Sequence, residues 1–169
     1  MIFNIDFDGT CCAHRFPEIG KDIGAAPVLR AIVDEGHKLI LWTVRSDVEA
    51  PKADPDHPEI IPKGGPYLTE ARNWFLERGI PLWGINENPT QKTWTHSPKA
   101  YAHFTIDDTA LGCPLFQFEG EPKPFVDWWS MTMILAKKGL LRPENNMDLG
   151  TQLMEACEFN FSTTNFKHL

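Results

Sequence analysis

Short apolar runs alternate with segments of helical periodicity along the first hundred or so residues. Ile2 to Ile5 is a nearly continuous apolar run ending at Asp6, the pattern of a buried strand. From Lys21 to Glu35, Ala25, Leu29, Ile32 and Val33 recur at helical spacing, and Gly36 supplies a C-terminal stop. Lys38 to Thr43 reads as a second strand, Leu82 to Ile85 as a short third, and His103 to Ile106 as a fourth that runs into Asp107 and Asp108. Between them, Pro66 opens a helix whose seam is Tyr67, Ala71, Trp74, Phe75 and Arg78, closed by Gly79. Ser97-Pro98-Lys99 has the form of another helix start, with Ser97 as N-cap and Pro98 in the first turn. This alternation predicts an α/β fold of Rossmann-like type, a doubly wound parallel sheet with helices on both faces.

The rest of the chain is less regular. Phe116 to Pro124 suits a small hairpin and Phe125 to Lys138 a last helix ending at Gly139. Beyond Arg142, the positions Met147, Met154, Cys157 and Phe161 have roughly helical spacing, but Gly150 and the polar run Ser162 to Asn165 interrupt it. Residues 142–169 therefore read as a tail that docks on the body, pairs with another copy, or stays loose, and residues 1–141 as one α/β domain. The stretch Asp47 to Gly65 carries Pro51, Pro55, Pro58 and Pro62, so it is neither a regular helix nor a central strand. Loops beyond ~12–15 residues are uncommon in compact domains and are often functional.

Composition narrows the class. The length of 169 residues suits one domain, and 42% apolar with 23% charged residues argues against wholesale disorder. A net charge of -7 argues against a broad basic face for nucleic acid. No apolar run approaches ~18 residues and no basic segment precedes the first one, so neither a membrane span nor an export signal is expected. Cys11, Cys12, Cys113 and Cys157 show no C-x-x-C spacing, which fits reduced thiols in a cytoplasm.

The candidate chemistry lies at the strand ends. Asp6 and Asp8 fall just past the first strand, in Asp6-Phe7-Asp8-Gly9-Thr10; in open parallel sheets that edge is where ligands bind. Asp-x-Asp-Gly can also be a plain turn. Asp107 and Asp108, however, place a second acidic pair at the same edge, and the two would repel unless a cation joined them or a proton was shared. Oxygen-only ligands with open water positions suit Mg²⁺. Thr43, at the end of the second strand, offers a hydroxyl for a phosphoryl oxygen. Lys99, at the expected helix start, would neutralise a nucleophile and a bound phosphate. Lys92 is its rival but sits in a loop. Arg45 and Ser46 follow Thr43 as candidate substrate contacts; the alternative for Arg45 is a solvated side chain. His14 and Arg15 lie close enough to line the same mouth.

These residues, in this order, resemble the four motifs of the haloacid dehalogenase superfamily: Asp6 to Thr10 as the first, Thr43 in LWTVR as the second, Lys99 in SPKAYA as the third, and Ile106 to Asp108 as the fourth. The resemblance spans residues 1–112. It implies that Asp6 is a nucleophile forming an aspartyl-phosphate and Asp8 the general acid and later base. It also implies that Mg²⁺ is held by the Asp6 carboxylate, the Asp8 backbone carbonyl and one or both of Asp107 and Asp108. The second Asp of the first motif favours phosphate chemistry over C–halogen cleavage. Neither interval where such proteins carry a cap domain has room for one; the 47–65 loop could at most be a flap.

The expected activity is Mg²⁺-dependent hydrolysis of a phosphomonoester, whether nucleotide, phosphosugar or phosphorylated polymer. Phosphotransfer to another acceptor is not distinguished by sequence. A metal-binding regulatory or interaction module is the other reading, because the aromatic clusters at Trp128-Trp129 and Phe159 to Phe166 could form core, a partner surface or a homo-oligomer contact.

Overall fold

A computed structural model of the chain describes residues 1–49, 56 and 64–159. In chain order the elements are β1 (Ile2–Ile5), α1 (Ala25–Asp34), β2 (Lys38–Leu41), β3 (Asp47–Val48), β4 (Gly65–Pro66) and α2 (Tyr67–Glu77). There follow β5 (Gly84–Ile85), β6 (Phe104–Ile106), β7 (Leu115–Phe116), β8 (Phe125–Val126), α3 (Trp128–Lys137) and α4 (Leu149–Ala156). β1 is flanked by β2 and β6 in a four-stranded sheet of order β5-β2-β1-β6, every pair parallel. The expected α/β class and parallel sheet are therefore present, in an arrangement consistent with a Rossmann-like fold.

Alternation along the strands divides the sheet into two unlike faces. Phe3 and Ile5 of β1, Leu39 and Leu41 of β2 and Ile106 of β6 join one hydrophobic core with buried residues of all four helices. Asn4 points the other way and donates its Nδ2 to the Ala100 carbonyl at 3.3 Å. Ile40, also buried, stands outside that core. Among the described residues, the second face is thus covered around Ala100 by the crossover between β5 and β6, which carries the short 3-10 turn Gln91–Thr93 and no α-helix.

The helix expected from Ser97 does not form, and the reason is local. In a helix the Tyr101 N–H would bond the Ser97 carbonyl. Buried Gln91 claims both: its Nε2 donates to the Ser97 and Lys99 carbonyls at 2.7 and 2.8 Å, and its Oε1 accepts from Tyr101 N at 2.6 Å. Ser97 Oγ still accepts from Lys99 N at 3.2 Å, a local turn that leads into no helix.

α1 starts four residues later than its periodicity implies. Asp22 Oδ1 accepts from Gly24 N at 3.0 Å, and Gly24 turns the chain with φ of 85° before Ala25. The described part of the tail docks: Leu149 and Leu153, one helical turn apart, are buried on α4, which packs chiefly against α1. The expected seam was the wrong stripe, since Met147 and Met154 are 86% and 65% exposed. Trp128 is core, whereas Trp129 is half exposed. Most of the Pro-rich 47–65 stretch, and Phe161 and Phe166 of the tail, lie outside the described residues; what is described of the former includes the short β3–β4 ladder. Among the described residues no helix is long and apolar enough to cross a membrane.

Candidate metal centre

The chain runs from β1 to β2 and β5 on one side, then returns to β6 on the other. The crevice between the carboxyl ends of β1 and β6 is therefore the point where strand order reverses, the usual ligand site of open α/β sheets. Ile5 is in register with Ile106, and Asp6 N donates to the Ile106 carbonyl at 3.0 Å. Asp6 and Asp107 consequently leave neighbouring strand ends side by side, with Asp108 next to them. One carboxylate oxygen from each of Asp6, Asp107 and Asp108 lies within 4.8 Å of the others, and the three could hold a metal ion.

The loop after Asp6 is folded tightly onto this crevice. The N–H groups of Thr10, Cys11 and Cys12 all donate to the Phe7 carbonyl, at 3.2, 2.7 and 3.4 Å, and Gly9 N donates to the Cys12 carbonyl at 2.7 Å. Buried Thr10 ties both strand ends together: its hydroxyl donates to Asp6 Oδ2 at 3.4 Å and accepts from Asp108 N at 3.1 Å. The second half of the chain supports that loop, for Trp128 Nε1 donates to the Thr10 carbonyl at 2.7 Å and Val126 N to the Gly9 carbonyl at 2.8 Å. His14 returns over Gly9 and places Nε2 3.0 Å from Asp108 Oδ2. Asp107 Oδ1 accepts from Thr109 N and Oγ1 at 2.7 and 2.6 Å, an Asx turn that orients its carboxylate.

Burial pushes the Asp6 carboxyl up to about 7, opposed by a bond from Phe7 N and reinforced by the negative charges of Asp107, Asp108 and Asp8. A carboxylate held among like charges in a poorly solvated crevice is uncompensated, and a divalent cation is the natural compensation.

Asp8 stands apart from the three. Arg45 grips it with two bonds of 2.7 Å, Nε to Oδ2 and Nη2 to Oδ1, and gives further bonds to the Pro17 and Glu18 carbonyls at 3.0 and 2.8 Å. Phe7 and Phe16 lie beside the guanidinium, with ring centroids 5.0 and 5.1 Å from its carbon. Arg45 is only 2% exposed, so it is neither the solvated arginine nor the free substrate clamp that its position after Thr43 suggested. β2 stops at Leu41, so Thr43 lies two residues beyond the strand it was expected to end; its hydroxyl accepts from Arg45 N at 3.2 Å, and Asn86 clamps its backbone N–H and carbonyl, both at 2.9 Å. That hydroxyl keeps its own proton to donate. Ser46 is exposed. Lys99 is exposed too, and among the described residues its amine makes no ion pair with the acidic trio; the rival Lys92 pairs with Glu87 at 3.1 Å.

Sequence reasoning therefore located Asp6, Asp107 and Asp108 and missed the groups that hold them. Thr10 was visible in the first motif but carried no distinguishing signal, and Trp128 lies more than a hundred residues away. Gly9 is the local requirement that could have been read, since its φ of 83° suits glycine, and a Cβ there would lie 2.2 Å from His14 Nε2 and 2.9 Å from Asp108 Cγ. Gly9→Ala is expected to lower Tm by about 2–8 °C, from a left-handed penalty of roughly 1–2 kcal/mol before any displacement of His14. A thermal melt of the variant checks this; an unchanged Tm would show that the loop relaxes freely.

No protein-family model matches the chain, and no curated protein matches it. It is similar to a solved structure described as that of a conserved protein coded by a locus from Bacteroides thetaiotaomicron, at 29% identity and a TM-score of 0.56. The similarity covers 82% of this chain and 91% of that one.

Proposed function

We propose that this chain is a Mg²⁺-dependent phosphomonoester hydrolase of the haloacid dehalogenase type, without a separate cap, working through an aspartyl-phosphate on Asp6. The observation that carries this reading is the convergence of Asp6, Asp107 and Asp108 at the strand-order reversal. The order of the motif residues along the chain supports it. In this reading the sheet is the doubly wound one of that superfamily, with the second-face helix replaced by the crossover that Gln91 pins.

The donor set fits the ion. It consists of carboxylate oxygens only, and Mg²⁺ is typically held by one or two carboxylates with several waters retained. Asp6 with Asp107, Asp108 or both would hold it, with the Asp8 backbone carbonyl in the place the resemblance implies. Bound there, it would offset the repulsion between anionic nucleophile and anionic substrate and stabilise charge on the transferring phosphoryl group.

The chain's own groups supply the rest. Asp6 attacks phosphorus while the ester oxygen departs with a proton, and a water then cleaves the acyl phosphate. Asp8 is the proton-handling group. Both its oxygens are engaged by Arg45, but a carboxylate has about four acceptor sites, so each oxygen retains one for the proton it exchanges. The Thr43 hydroxyl, in the loop just beyond β2, donates to a phosphoryl oxygen. Lys99 enters this reading only if substrate draws its flexible amine toward the phosphate.

A broad phosphoester panel with Mg²⁺, with Asp6→Asn as control, tests the proposal. Turnover that disappears in the control and is blocked by beryllium fluoride, a mimic of phosphate on a carboxylate, is the expected result. No turnover anywhere on the panel together with no beryllium fluoride binding would sink it. A transferase would instead show product partitioning to an added acceptor alcohol.

The second reading, a metal-binding interaction module with little turnover, is favoured by two observations. Lys99 is exposed and, among the described residues, forms no ion pair with the trio, and Trp129, Met133, Met147 and Met154 are exposed on and beside α3 and α4. A stable complex or homo-oligomer with no metal-dependent rate would support it.

A further inference from the structure

We infer that His14 is a positioning residue for the metal centre: its Nε2–H holds one oxygen of Asp108 and leaves the other aimed into the crevice shared with Asp6 and Asp107. The inference rests on the reading of that trio as a cation site, and it adds a residue that none of the four motifs contains.

Three observations carry it. First, His14 Nε2 lies 3.0 Å from Asp108 Oδ2, with both side chains largely withdrawn from solvent at 18% and 12% exposure. An ionised carboxylate only accepts, so the hydrogen of this bond sits on Nε2. Second, the two oxygens of Asp108 are thereby made unequal. Oδ2 is directed to the imidazole, while the residue's N–H is fixed separately by the Thr10 hydroxyl at 3.1 Å. Backbone and one oxygen held at once leave the carboxylate little freedom to rotate.

Third, the chain makes room for this pair. Gly9 passes so close beneath it that a Cβ would collide with His14 Nε2 and Asp108 Cγ together. The loop bonds from Thr10, Cys11 and Cys12 to Phe7 bring residue 14 back over residue 9. Among the described residues Nδ1 of His14 has no hydrogen-bond partner, so Asp108 is the contact that orients the ring. An outer group that donates to a ligating carboxylate fixes its orientation, and removing such a group typically costs on the order of 10–100-fold in metal affinity.

Mn²⁺ binding to the full chain without substrate, followed by electron paramagnetic resonance and competed with Mg²⁺, gives a readout independent of turnover. His14→Phe keeps a flat ring and removes the donor; His14→Gln keeps an N–H donor. We expect a Kd raised on the order of 10–100-fold in His14→Phe and within about 3-fold of the wild type in His14→Gln. In an Asp108→Asn background, His14→Phe should add no further loss, because its only route to the metal has been altered. His14→Ala repeats the comparison if the phenyl ring prevents folding, as judged by a melt of each variant.

Wild-type affinity in His14→Phe, no recovery in His14→Gln, or an undiminished loss in the Asp108→Asn background would each overturn the role of His14 and leave the cation site standing. Failure of the wild-type chain to bind Mn²⁺ or Mg²⁺ would instead remove the cation site, and this inference with it.

Discussion

If the chain is the proposed hydrolase, Asp6→Asn is expected to abolish phosphoester turnover, by on the order of 10⁴-fold or more as for loss of a covalent nucleophile, and in either case to make the metal-free protein more stable at neutral pH. The two effects have one cause. Burial, followed by the charges of Asp107, Asp108 and Asp8, raises the Asp6 carboxyl from 3.8 to about 7 in the folded chain. Between those values the folded state retains a proton that the unfolded state has released. Protonation therefore favours folding at low pH, and stability from this group falls as pH rises from about 4 to about 7.

The full shift corresponds to at most about 4 kcal/mol, and solvent access to the crevice makes the realised loss a fraction of that. Asparagine, uncharged at every pH, lacks this decline. Melts of wild type and Asp6→Asn at pH 5 and pH 8 without divalent ions should show a gap that widens toward pH 8. Added Mg²⁺ should raise the wild-type Tm more at pH 8 than at pH 5, because it binds the ionised form. A gap that does not change with pH would mean that Asp6 is not the uncompensated charge.

The second large effect falls on Arg45. Arg45→Ala leaves the Asp8 carboxylate without its fork and the Pro17 and Glu18 carbonyls without a donor, all through the loss of one buried side chain. Breaking a buried pair by removing one partner costs about 3–5 kcal/mol, because the remaining charge is uncompensated. For a chain of this size that corresponds to a Tm lower by roughly 6–20 °C. Arg45→Lys should recover only part of it, since a single ammonium cannot make two parallel bonds to a carboxylate and reach two carbonyls as well. Chemical denaturation of the three proteins measures this. If Arg45→Ala unfolds at the wild-type midpoint, the fork is not holding the loop.

How much of this could be read in advance varies with the range of the forces involved. Ile2–Ile5, Lys38–Leu41 and Phe104–Ile106 are apolar runs that only a buried strand satisfies, so the core strands were legible, as were the helix stops at Gly36 and Gly79 with their positive φ. The start of α1 was read too early, because a turn made by one Asp22 side chain outweighed periodicity. Ser97-Pro98-Lys99 misled for a related reason: its capping pattern is genuine, but Gln91 offers stronger partners for the same backbone groups, and that contact depends on how residues 91 and 101 meet in space.

The sequence by itself determined the parallel α/β frame and the carboxylates at its strand ends, since strand burial and a polar residue that ends an apolar run are local properties. Tertiary structure alone decided which carboxylates meet and what holds them. Asp6 and Asp8 are two residues apart, yet one faces Asp107 and Asp108 and the other turns to Arg45. Thr10, Trp128 and His14 secure a crevice assembled from segments about a hundred residues apart in the chain. Charges interact through distance in space, and no spacing along the chain specifies that distance until strand order and register bring β1 beside β6.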